Sequence, residues 1–522
     1  MVYYRKTTLL KEGCTMKKLI ALLLALLLAL PALAMGEDPL VLRNYTSDFI
    51  EGTDGWYARS GDGAAAVSVA NGRLNITGRT AAWNSPGRDF ALLNGKKYKL
   101  SVQVMQSAAE SVDFMLSVAH TKDGVETYEN LGKVSAPKNN WATITAEYTA
   151  GDFDKYVLYI ETVGHDNIDF TMQRFSLTMT ELYYDMTLPS LAEAYSSYFD
   201  VGVALSRSPL QDAKRMAFVA SQFNIITHEN ELKPDAVIDV FGSKKLAEDD
   251  ETEVAIKFTA AKPLLDFCQA NGIKVHGHVL VWHNQTPAAF FHEGYDTAKP
   301  FVSREVMLGR LENYIRKVFE YAEANYPGLI VSWDVVNEAV SDNSVNLRKS
   351  NWTNVIGEDF VNRAFEFARK HAPEGVKLYY NDYSTPYEPK LTGICNLLDS
   401  LIAEGTIDGY GFQCHYSTNT PMPFQVRRAF ERIAAKGLRL RVSELDIGIT
   451  GNSDLNLKSQ AKLYADLFRI YMDFADQLDA VQVWGLTDER SWRNGEYPLL
   501  FDSKVAPKPA FYALLDLVKP GN

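Results

Sequence analysis

Cysteine is scarce in this chain, with four residues among 522. Cys14 lies near the N-terminus, and Cys268, Cys395 and Cys414 are far apart, which excludes a scaffold built on disulfides. The chain has no Cys-x-x-Cys or Cys/His spacing of a structural zinc site. We expect one disulfide at most, or free buried thiols, and we expect neither a metal site nor a cofactor.

Basic residues are outnumbered by acidic ones. The chain has 53 Lys and Arg against 65 Asp and Glu, which gives a formal net charge of −12. Without residues 1–34 the balance is 48 basic against 64 acidic residues. Such an acidic surface repels nucleic acid and anionic membranes. We therefore expect no nucleic-acid partner and favour a neutral polymer, and we expect a monomer.

Long apolar runs are missing, apart from residues 19–30. This run follows Met16-Lys17-Lys18 and precedes Pro31-Ala32-Leu33-Ala34. The run is shorter than the roughly 20 residues of a membrane span. The basic residues before it and the small residues of an Ala-x-Ala cleavage motif after it are typical of a signal peptide. We predict a leader over residues 1–34 that is cleaved near Ala34, a translation start at Met1 or Met16, and a secreted mature protein that does not bind membranes.

The region 35–182 is dominated by alternation of apolar and polar residues. Tyr98, Leu100, Val102 and Val104 alternate with Lys99, Ser101 and Gln103, and turn sequences such as Asn94-Gly95 and Asp123-Gly124 separate the runs. No helical period and no catalytic group of residues is evident there. The pattern predicts an all-β sandwich of jelly-roll type.

In the region 183–522, short apolar runs alternate with longer segments of helical period. The predicted strands are 199–204, 223–228, 274–283, 329–338, 377–383, 407–416, 438–447 and 480–488. Eight strands with helices between them predict a (β/α)8 TIM barrel. A doubly wound sheet is the alternative, but no glycine-rich phosphate loop follows any of these strands.

Two of the predicted strands end in a carboxylic acid. Asn337-Glu338 closes the fourth strand, and Glu444 lies near the end of the seventh. Active-site residues of TIM barrels come from the C-terminal ends of the strands. A lone Asn-Glu would be a loop cap, but two such carboxyls predict paired acid/base or nucleophile chemistry, as in glycoside hydrolysis.

The other strand ends carry His, Asn and Trp, which raises a metal site as a rival hypothesis. His276, His278 and His283 are candidate ligands. However, the strand-one His-x-His and the later bridging Lys of barrel metallohydrolases are missing here. Tryptophans and amide side chains suit a sugar better than a metal.

Six segments of the region 188–519 resemble the endo-β-1,4-xylanases of glycoside hydrolase family 10. They are Glu229-Asn230-Glu231-Leu232-Lys233, Gly277-His278-Val279-Leu280-Val281-Trp282-His283, Trp333-Asp334-Val335-Val336-Asn337-Glu338, Gln413-Cys414-His415, Ser443-Glu444-Leu445-Asp446 and Trp484-Gly485-Leu486-Thr487-Asp488. Departures are slight: His228 and Pro234 flank the first segment, and the acidic insertion Glu248–Glu253 follows strand two.

The resemblance implies a retaining double displacement, with Glu338 as acid/base and Glu444 as nucleophile. It also implies that His415 and Asp446 orient Glu444. The implied substrate contacts are Glu229, Asn230, Lys233, His278, Trp282, Gln285, Asn337, Gln413, His415, Trp484 and Trp492. We expect Trp333, which precedes the strand end, to belong to the core.

Three segments of the sandwich resemble the family 22 carbohydrate-binding modules found beside xylanases. They are Gly55-Trp56-Tyr57-Ala58-Arg59, Gly78-Arg79-Thr80-Ala81-Ala82-Trp83-Asn84 and Tyr159-Ile160-Glu161-Thr162. By this resemblance the sugar contacts are Arg59, Trp83, Tyr128 and Glu161. We expect Trp56 in the core, leave the exposure of Trp83 open, and keep open that the sandwich stabilises the enzyme without binding xylan.

Together these features predict a secreted retaining endo-1,4-β-xylanase that acts on xylan and xylo-oligosaccharides. An endo-β-1,4-glucanase, or a mixed xylanase/glucanase of a related barrel family, is the alternative because it would share the two strand-end glutamates. A sugar-binding protein without activity would lack one of them, and both Glu338 and Glu444 are present.

Overall fold

The computed structural model describes residues 44–50, 52–59 and 65–519. The predicted leader and its cleavage point lie outside the described residues. Within the described ranges, an N-terminal β-sandwich precedes an α/β barrel. The predicted boundary after residue 182 falls between the last strand of the sandwich and the first helix of the barrel.

Two antiparallel sheets form the sandwich, as the alternating pattern predicts. Its strands are β1 (Asn44–Ser47), β2 (Tyr57–Ala58), β3 (Ala66–Ala70), β4 (Arg73–Thr77), β5 (Pro86–Phe90), β6 (Lys97–Met105), β7 (Ser111–Lys122), β8 (Val125–Pro137), β9 (Ala142–Thr149), β10 (Lys155–Val163) and β11 (Phe170–Met179). One sheet has the order β3-β4-β11-β6-β9, with β1 also paired to β11, and the other has the order β2-β5-β10-β7-β8.

The apolar positions of β6 face the core between these sheets. Tyr98, Leu100, Val102 and Val104 are all buried. Trp56 is also in this core, 2% exposed and with its ring centroid 4.9 Å from that of Phe175, which confirms its predicted place.

Eight parallel strands close into the predicted barrel. They are β12 (Asp200–Leu205), β13 (Ile225–His228), β14 (Lys274–Gly277), β16 (Ile330–Asn337), β17 (Lys377–Asp382), β18 (Gly409–Phe412), β20 (Arg439–Gly448) and β21 (Leu478–Val483), with short extensions β15 (Val281–Trp282) and β19 (His415–Ser417). Pairing of β12 with β21 and of β14 with β16 completes the ring.

Helices surround the barrel and connect its strands. They are α1 (Leu191–Ala194), α2 (Ala213–Gln222), α3 (Pro234–Val237), α4 (Val240–Leu246), α5 (Lys262–Asn271), α6 (Arg304–Asn325), α7 (Asn351–Val355), α8 (Phe360–His371), α9 (Lys390–Ala403), α10 (Pro423–Ala434), α11 (Asp454–Asp473) and α12 (Pro509–Leu517). Ser303 and Ser453 cap α6 and α11, because their hydroxyls accept a backbone N–H of the first turn.

Two predicted strands are interrupted in the structure. The segment 274–283 forms β14 and β15 with residues 278–280 between them, and the segment 407–416 forms β18 and β19. Cys414 lies in the left-handed region with φ of 61°, which a continuous strand does not allow. Each of these two predicted strands is therefore a pair of shorter strands in the structure.

The sandwich contacts the barrel at the loop that precedes α11. The guanidinium of Arg88 lies 2.7 Å from the Asp454 carboxylate, and the Asp454 backbone N–H donates to Oδ1 of Asp54 at 2.7 Å. The Thr46 hydroxyl donates to Oδ1 of Asn452 at 2.5 Å. Since this loop follows the strand that carries Glu444, the sandwich attaches at the end of the barrel where the catalytic candidates lie.

Cys268, Cys395 and Cys414 are buried, free thiols, which decides between the two predicted states of cysteine. Within the described ranges, no helix combines the length and the hydrophobicity needed to cross a membrane.

Candidate active site

Glu338 follows β16 directly and is held by two side-chain donors. The indole N–H of Trp282 donates to its Oε2 and the amide of Gln413 donates to its Oε1, each at 2.9 Å. Its backbone is left-handed, with φ of 55°, and its N–H donates to the Asn381 carbonyl at 2.9 Å. The turn after the strand thus presents this half-buried carboxyl at the C-terminal end of the barrel.

Glu444 in β20 is 5% exposed and also has two donors. His415 Nε2 lies 3.1 Å from its Oε2, and the Asn381 amide donates to its Oε1 at 2.8 Å. Burial alone would raise the pKa of Glu444, but the hydrogen bond from His415 and the positive charges nearby, including Lys233, lower it overall. Glu444 is therefore an ionised carboxylate at neutral pH, as a nucleophile requires.

Asp446 binds the ring nitrogen of His415 that faces away from Glu444, as the resemblance implies. Its Nδ1 lies 2.8 Å from Oδ2 of Asp446, which also accepts the indole N–H of Trp492 at 2.9 Å. Burial alone would lower the pKa of His415, but Asp446 and Glu444 raise it to about 10. At neutral pH both ring nitrogens are thus protonated and donate to the two carboxylates.

Three amide side chains join the two glutamates. Oδ1 of Asn337 accepts from Asn381 and from Gln413, each at 3.0 Å. The same two amides donate to Glu444 and Glu338, respectively. Asn381 was not among the predicted site residues, although its position at the end of the fifth predicted strand was a signal for it.

A second group of predicted residues lies beyond β13. The Lys233 ammonium donates to Gln285 Oε1 at 2.9 Å and to Asn230 Oδ1 at 3.2 Å, and it lies 4.9 Å from the Trp282 ring. Asn230 and Gln285 line one open cavity. Burial raises the pKa of the nearby Glu229 and lowers that of Lys233, since desolvation disfavours both charged forms.

The aromatic candidates differ in exposure. Trp492 is 61% exposed, whereas Trp484 is only 7% exposed. The Trp484 ring meets those of His278 and His415 edge-on, with centroids 5.5 and 6.4 Å away. Only a small part of the Trp484 ring is therefore open to a ligand. Trp333, 1% exposed, belongs to the core as predicted.

Two of the three histidines raised as metal ligands, His276 and His278, bind protein groups. His278 Nδ1 lies 2.9 Å from the buried Asp334 carboxylate, and His276 Nδ1 lies 2.7 Å from the Ser332 hydroxyl. Burial alone would raise the pKa of Asp334, but the two histidines hold it well below its ordinary value. Across the described part of the chain, no group of three or more His, Cys, Asp or Glu side chains has the arrangement of a metal site.

The candidate sugar contacts of the sandwich gather on the outer face of one sheet. The Arg59 guanidinium lies 3.8 Å from the Tyr159 ring centroid and 5.5 Å from that of Tyr128, which is 60% exposed. Glu161 follows Tyr159 by two residues in β10 and so shares its face. Tyr159 was not predicted as a contact, although it opens one of the three segments.

Trp83 is 62% exposed, which settles the question that the sequence left open. Its loop is fastened to β10 by Arg79, which donates to the Ala82 carbonyl and to the Thr162 hydroxyl, each at 2.8 Å. Arg79 also donates to the Asn84 carbonyl at 2.7 Å. The exposed indole is thus held beside the strand that carries Glu161.

Comparisons with known proteins agree with this two-domain fold. Residues 190–517 match the family model described as glycosyl hydrolase family 10, and residues 44–166 match one described as a carbohydrate binding domain. A crystal structure of the N-terminal modules (CBM22-1 and GH10) of the xylanase Xyn10B from Clostridium thermocellum, complexed with xylohexaose, is 30% identical and superposes with a TM-score of 0.60. That match covers 91% of this chain and 97% of the other.

Two relatives are named for different activities, one as a xylanase and one as an exoglucanase. Endo-1,4-beta-xylanase B of Butyrivibrio fibrisolvens is 40% identical over 336 residues, which are 62% of this chain and 53% of the relative. Exoglucanase XynX of Acetivibrio thermocellus is 30% identical over 499 residues, which are 90% of this chain and 44% of the relative. The chain thus spans about half the length of these relatives. By the match of its barrel, the chain belongs to glycosyl hydrolase family 10.

Proposed function

We propose that this protein is a retaining endo-1,4-β-xylanase in which Glu338 is the acid/base and Glu444 the nucleophile. One observation carries the proposal. The carboxyl of Glu338, just after β16, and that of Glu444, within β20, are both linked to a single atom, Oδ1 of Asn337, through Gln413 and Asn381. Such a rigid connection suits two carboxyls that act on one glycosidic bond from opposite sides, about 5–5.5 Å apart in retaining enzymes.

In the first step, Glu444 attacks the anomeric carbon and forms an ester bond to it. The bond from that carbon to the leaving oxygen breaks, its electron pair stays on the oxygen, and Glu338 supplies the proton. In the second step, Glu338 takes a proton from water, the hydroxide oxygen bonds to the anomeric carbon, and Glu444 leaves as a carboxylate. The configuration is retained after two inversions.

The contacts of Glu444 and Asn337 support the roles proposed for them. Glu444 is buried and ionised, with His415 and Asn381 fixing one oxygen each, so one lone pair can be aimed at the sugar. Because Oδ1 of Asn337 is engaged by two donors, its amide nitrogen is the group to donate to the sugar 2-hydroxyl.

The remaining contacts define where the sugars bind. Glu229, Asn230, Lys233, Gln285 and His278 would bind hydroxyls on the glycone side, and Trp282, Trp484 and Trp492 would form apolar walls. On the sandwich, Arg59, Trp83, Tyr128 and Glu161 form the proposed xylan-binding face. The exposed Trp83 supports binding over a purely stabilising role, because exposed aromatic rings stack on sugar rings at little cost.

Secretion as a monomer is part of the proposal and rests on the sequence of residues 1–34 and on the acidic surface. N-terminal sequencing of the protein from culture medium tests the cleavage near Ala34, and sedimentation tests the monomer. A mature protein that starts elsewhere, or a larger particle, would contradict these two points.

Product analysis on glucuronoxylan with the wild type and with Glu444→Gln tests the reaction. We expect retained-configuration xylo-oligosaccharides from the wild type, and no turnover but preserved oligosaccharide binding from the variant. Glu489→Gln, the same change at an exposed position, is the matched control. Turnover that survives while binding is lost would refute the nucleophile assignment.

A glucanase is the second candidate, because one relative is named an exoglucanase. Parallel assays on cellulose and mixed-linkage glucan discriminate the two functions. Faster hydrolysis of these glucans than of xylan would favour the glucanase.

A further inference from the structure

The backbone immediately after Glu338 is bound by a buried phenol. The N–H groups of Ala339 and Val340 donate to the Tyr380 hydroxyl at 3.0 and 3.1 Å. Tyr380 and Val340 are fully buried, and Ala339 is 5% exposed. The first two peptides of the loop are therefore attached to one atom of the neighbouring strand β17.

That hydroxyl is itself held by a buried ion pair. Tyr380 donates to Oδ2 of Asp382 at 2.5 Å, and Lys390 Nζ lies 2.8 Å from Oδ1 of the same carboxylate. The side chains of Asp382 and Lys390 are 0% and 1% exposed. Ionised groups are costly to bury, so a pair at this depth needs several hydrogen bonds to persist. With the phenol hydrogen directed at Asp382, the oxygen lone pairs face Ala339 and Val340.

A second set of contacts leads from Lys390 back to Glu338. Lys390 also lies 3.0 Å from Oδ1 of Asp342, and Arg348 donates to that same oxygen at 3.0 Å. Arg348 Nε then donates to the Glu338 carbonyl at 3.3 Å. The N–H and the carbonyl of the peptide between Glu338 and Ala339 are thus both linked to Lys390. Glu338 itself has the left-handed φ of 55° that a non-glycine residue adopts only when its surroundings impose it.

We propose that the Tyr380 hydroxyl, held by the Asp382–Lys390 pair, positions Glu338 for proton transfer to the leaving-group oxygen. Tyr380, Asp382 and Lys390 are buried away from any substrate, so they act through the backbone of Glu338 as positioning residues. The inference rests on the role proposed above for Glu338. It explains a buried charge pair that neither binding nor the chemical steps use directly.

Tyr380→Phe tests the inference, because it removes the hydroxyl and keeps the ring. Two aryl xylobiosides serve as substrates, one with a dinitrophenyl group that leaves without protonation and one with a phenyl group that requires it. We expect kcat/KM for the phenyl substrate to fall roughly tenfold or more, with KM little changed, and kcat/KM for the dinitrophenyl substrate to stay within about twofold.

Tyr410→Phe is the matched control. Tyr410 is fully buried with its ring centroid 6.0 Å from that of Tyr380, but its hydroxyl bonds to Thr385 at 2.7 Å and not to the Glu338 loop. We expect both substrates to react at nearly the wild-type rate. An equal loss on both substrates in Tyr380→Phe, or no loss, would overturn the inference.

Glu338→Ala separates this inference from the proposed function. If Glu338→Ala lacks the leaving-group dependence and rescue by azide, the acid/base assignment fails. If Glu338→Ala shows both and Tyr380→Phe shows no selective loss, only the positioning role fails. Should Tyr380→Phe not fold, Asp382→Asn is the second variant, because it keeps an oxygen acceptor for the phenol but removes the charge. We expect Asp382→Asn to give the same selective loss on the phenyl substrate. An equal loss on both substrates would again refute the positioning role.

Discussion

His415 Nε2 lies 3.1 Å from Oε2 of Glu444, and the imidazole is positively charged at neutral pH because Asp446 and Glu444 raise its pKa to about 10. In the proposed mechanism a cation beside Glu444 has two effects. It keeps the Glu444 carboxyl ionised between turnovers, and it stabilises the carboxylate again when the proposed glycosyl ester breaks.

The stabilising contribution of His415 should depend on pH. Since the pKa of His415 is raised on folding, its contribution is complete below the ordinary value of 6.5 and is lost as pH rises through about 10. We expect His415→Gln to lower the unfolding free energy more at pH 6 than at pH 10, by about 1 kcal/mol or more. Urea unfolding of both proteins at the two pH values measures this. An equal cost at both would show that His415 is uncharged.

The xylan affinity of the sandwich should depend on Trp83. Trp83→Ala removes the exposed indole, and we expect binding to insoluble xylan to weaken by roughly 1 kcal/mol, about fivefold. Turnover of soluble xylo-oligosaccharides should not change, because Trp83 is on the other domain. Trp141→Ala, the same change at a half-buried position before β9, is the matched control. Unchanged pull-down by xylan would favour a sandwich that only stabilises.

The contact between the two domains should contribute to stability through Arg88 and Asp454. The Arg88 side chain is 6% exposed and that of Asp454 is 39% exposed, so Asp454→Ala leaves a guanidinium buried without its carboxylate. We expect a loss of roughly 1–3 kcal/mol in unfolding free energy, and a smaller loss when Arg88→Met is added.

Glu320→Ala is the control for this pair, because it breaks the exposed helical pair with Arg316 and should cost less than about 0.5 kcal/mol. Thermal and urea unfolding provide the measurements. Additive effects of Arg88→Met and Asp454→Ala would show that the two side chains are not coupled.

A side chain at position 277 should lower the free energy of unfolding. A Cβ there would lie 2.2 Å from the Trp333 ring, so we expect Gly277→Ala to cost about 1–3 kcal/mol through overpacking. At Gly451 nothing lies within 4 Å of the added carbon, and Gly451→Ala should have little effect. Equal melting temperatures for the two variants would contradict the close approach of Gly277 and Trp333.

Much of the architecture followed from periodicity in the sequence. Alternation in β6 predicted the sandwich, because successive side chains of a strand face opposite sides. The change to buried runs separated by helical segments predicted the barrel. Because parallel strands place their carboxyl ends on one side, the sequence also predicted that the ends of the strands carrying Glu338 and Glu444 come together.

Strand bounds were predicted less well, and some partners were not predicted at all. The interruption at Cys414 depends on a left-handed backbone that periodicity does not reveal. The sequence did not predict Asn381 and Tyr159 as site residues, because their contacts are with groups that neighbouring strands bring next to them. The exposure of Trp83 was undecided because a loop has no periodic pattern from which to infer a buried face.

The sequence alone therefore determined the two domains and the pair of strand-end carboxyls, since local patterns of hydrophobicity specify strands, helices and their directions. Only the tertiary structure decided which groups hold those carboxyls. Strand register and closure of the barrel bring Tyr380 and Lys390 to the loop after Glu338, and His415 to Glu444. Hydrogen bonds need contact within about 3 Å, and contact between residues distant in sequence exists only once the chain has folded.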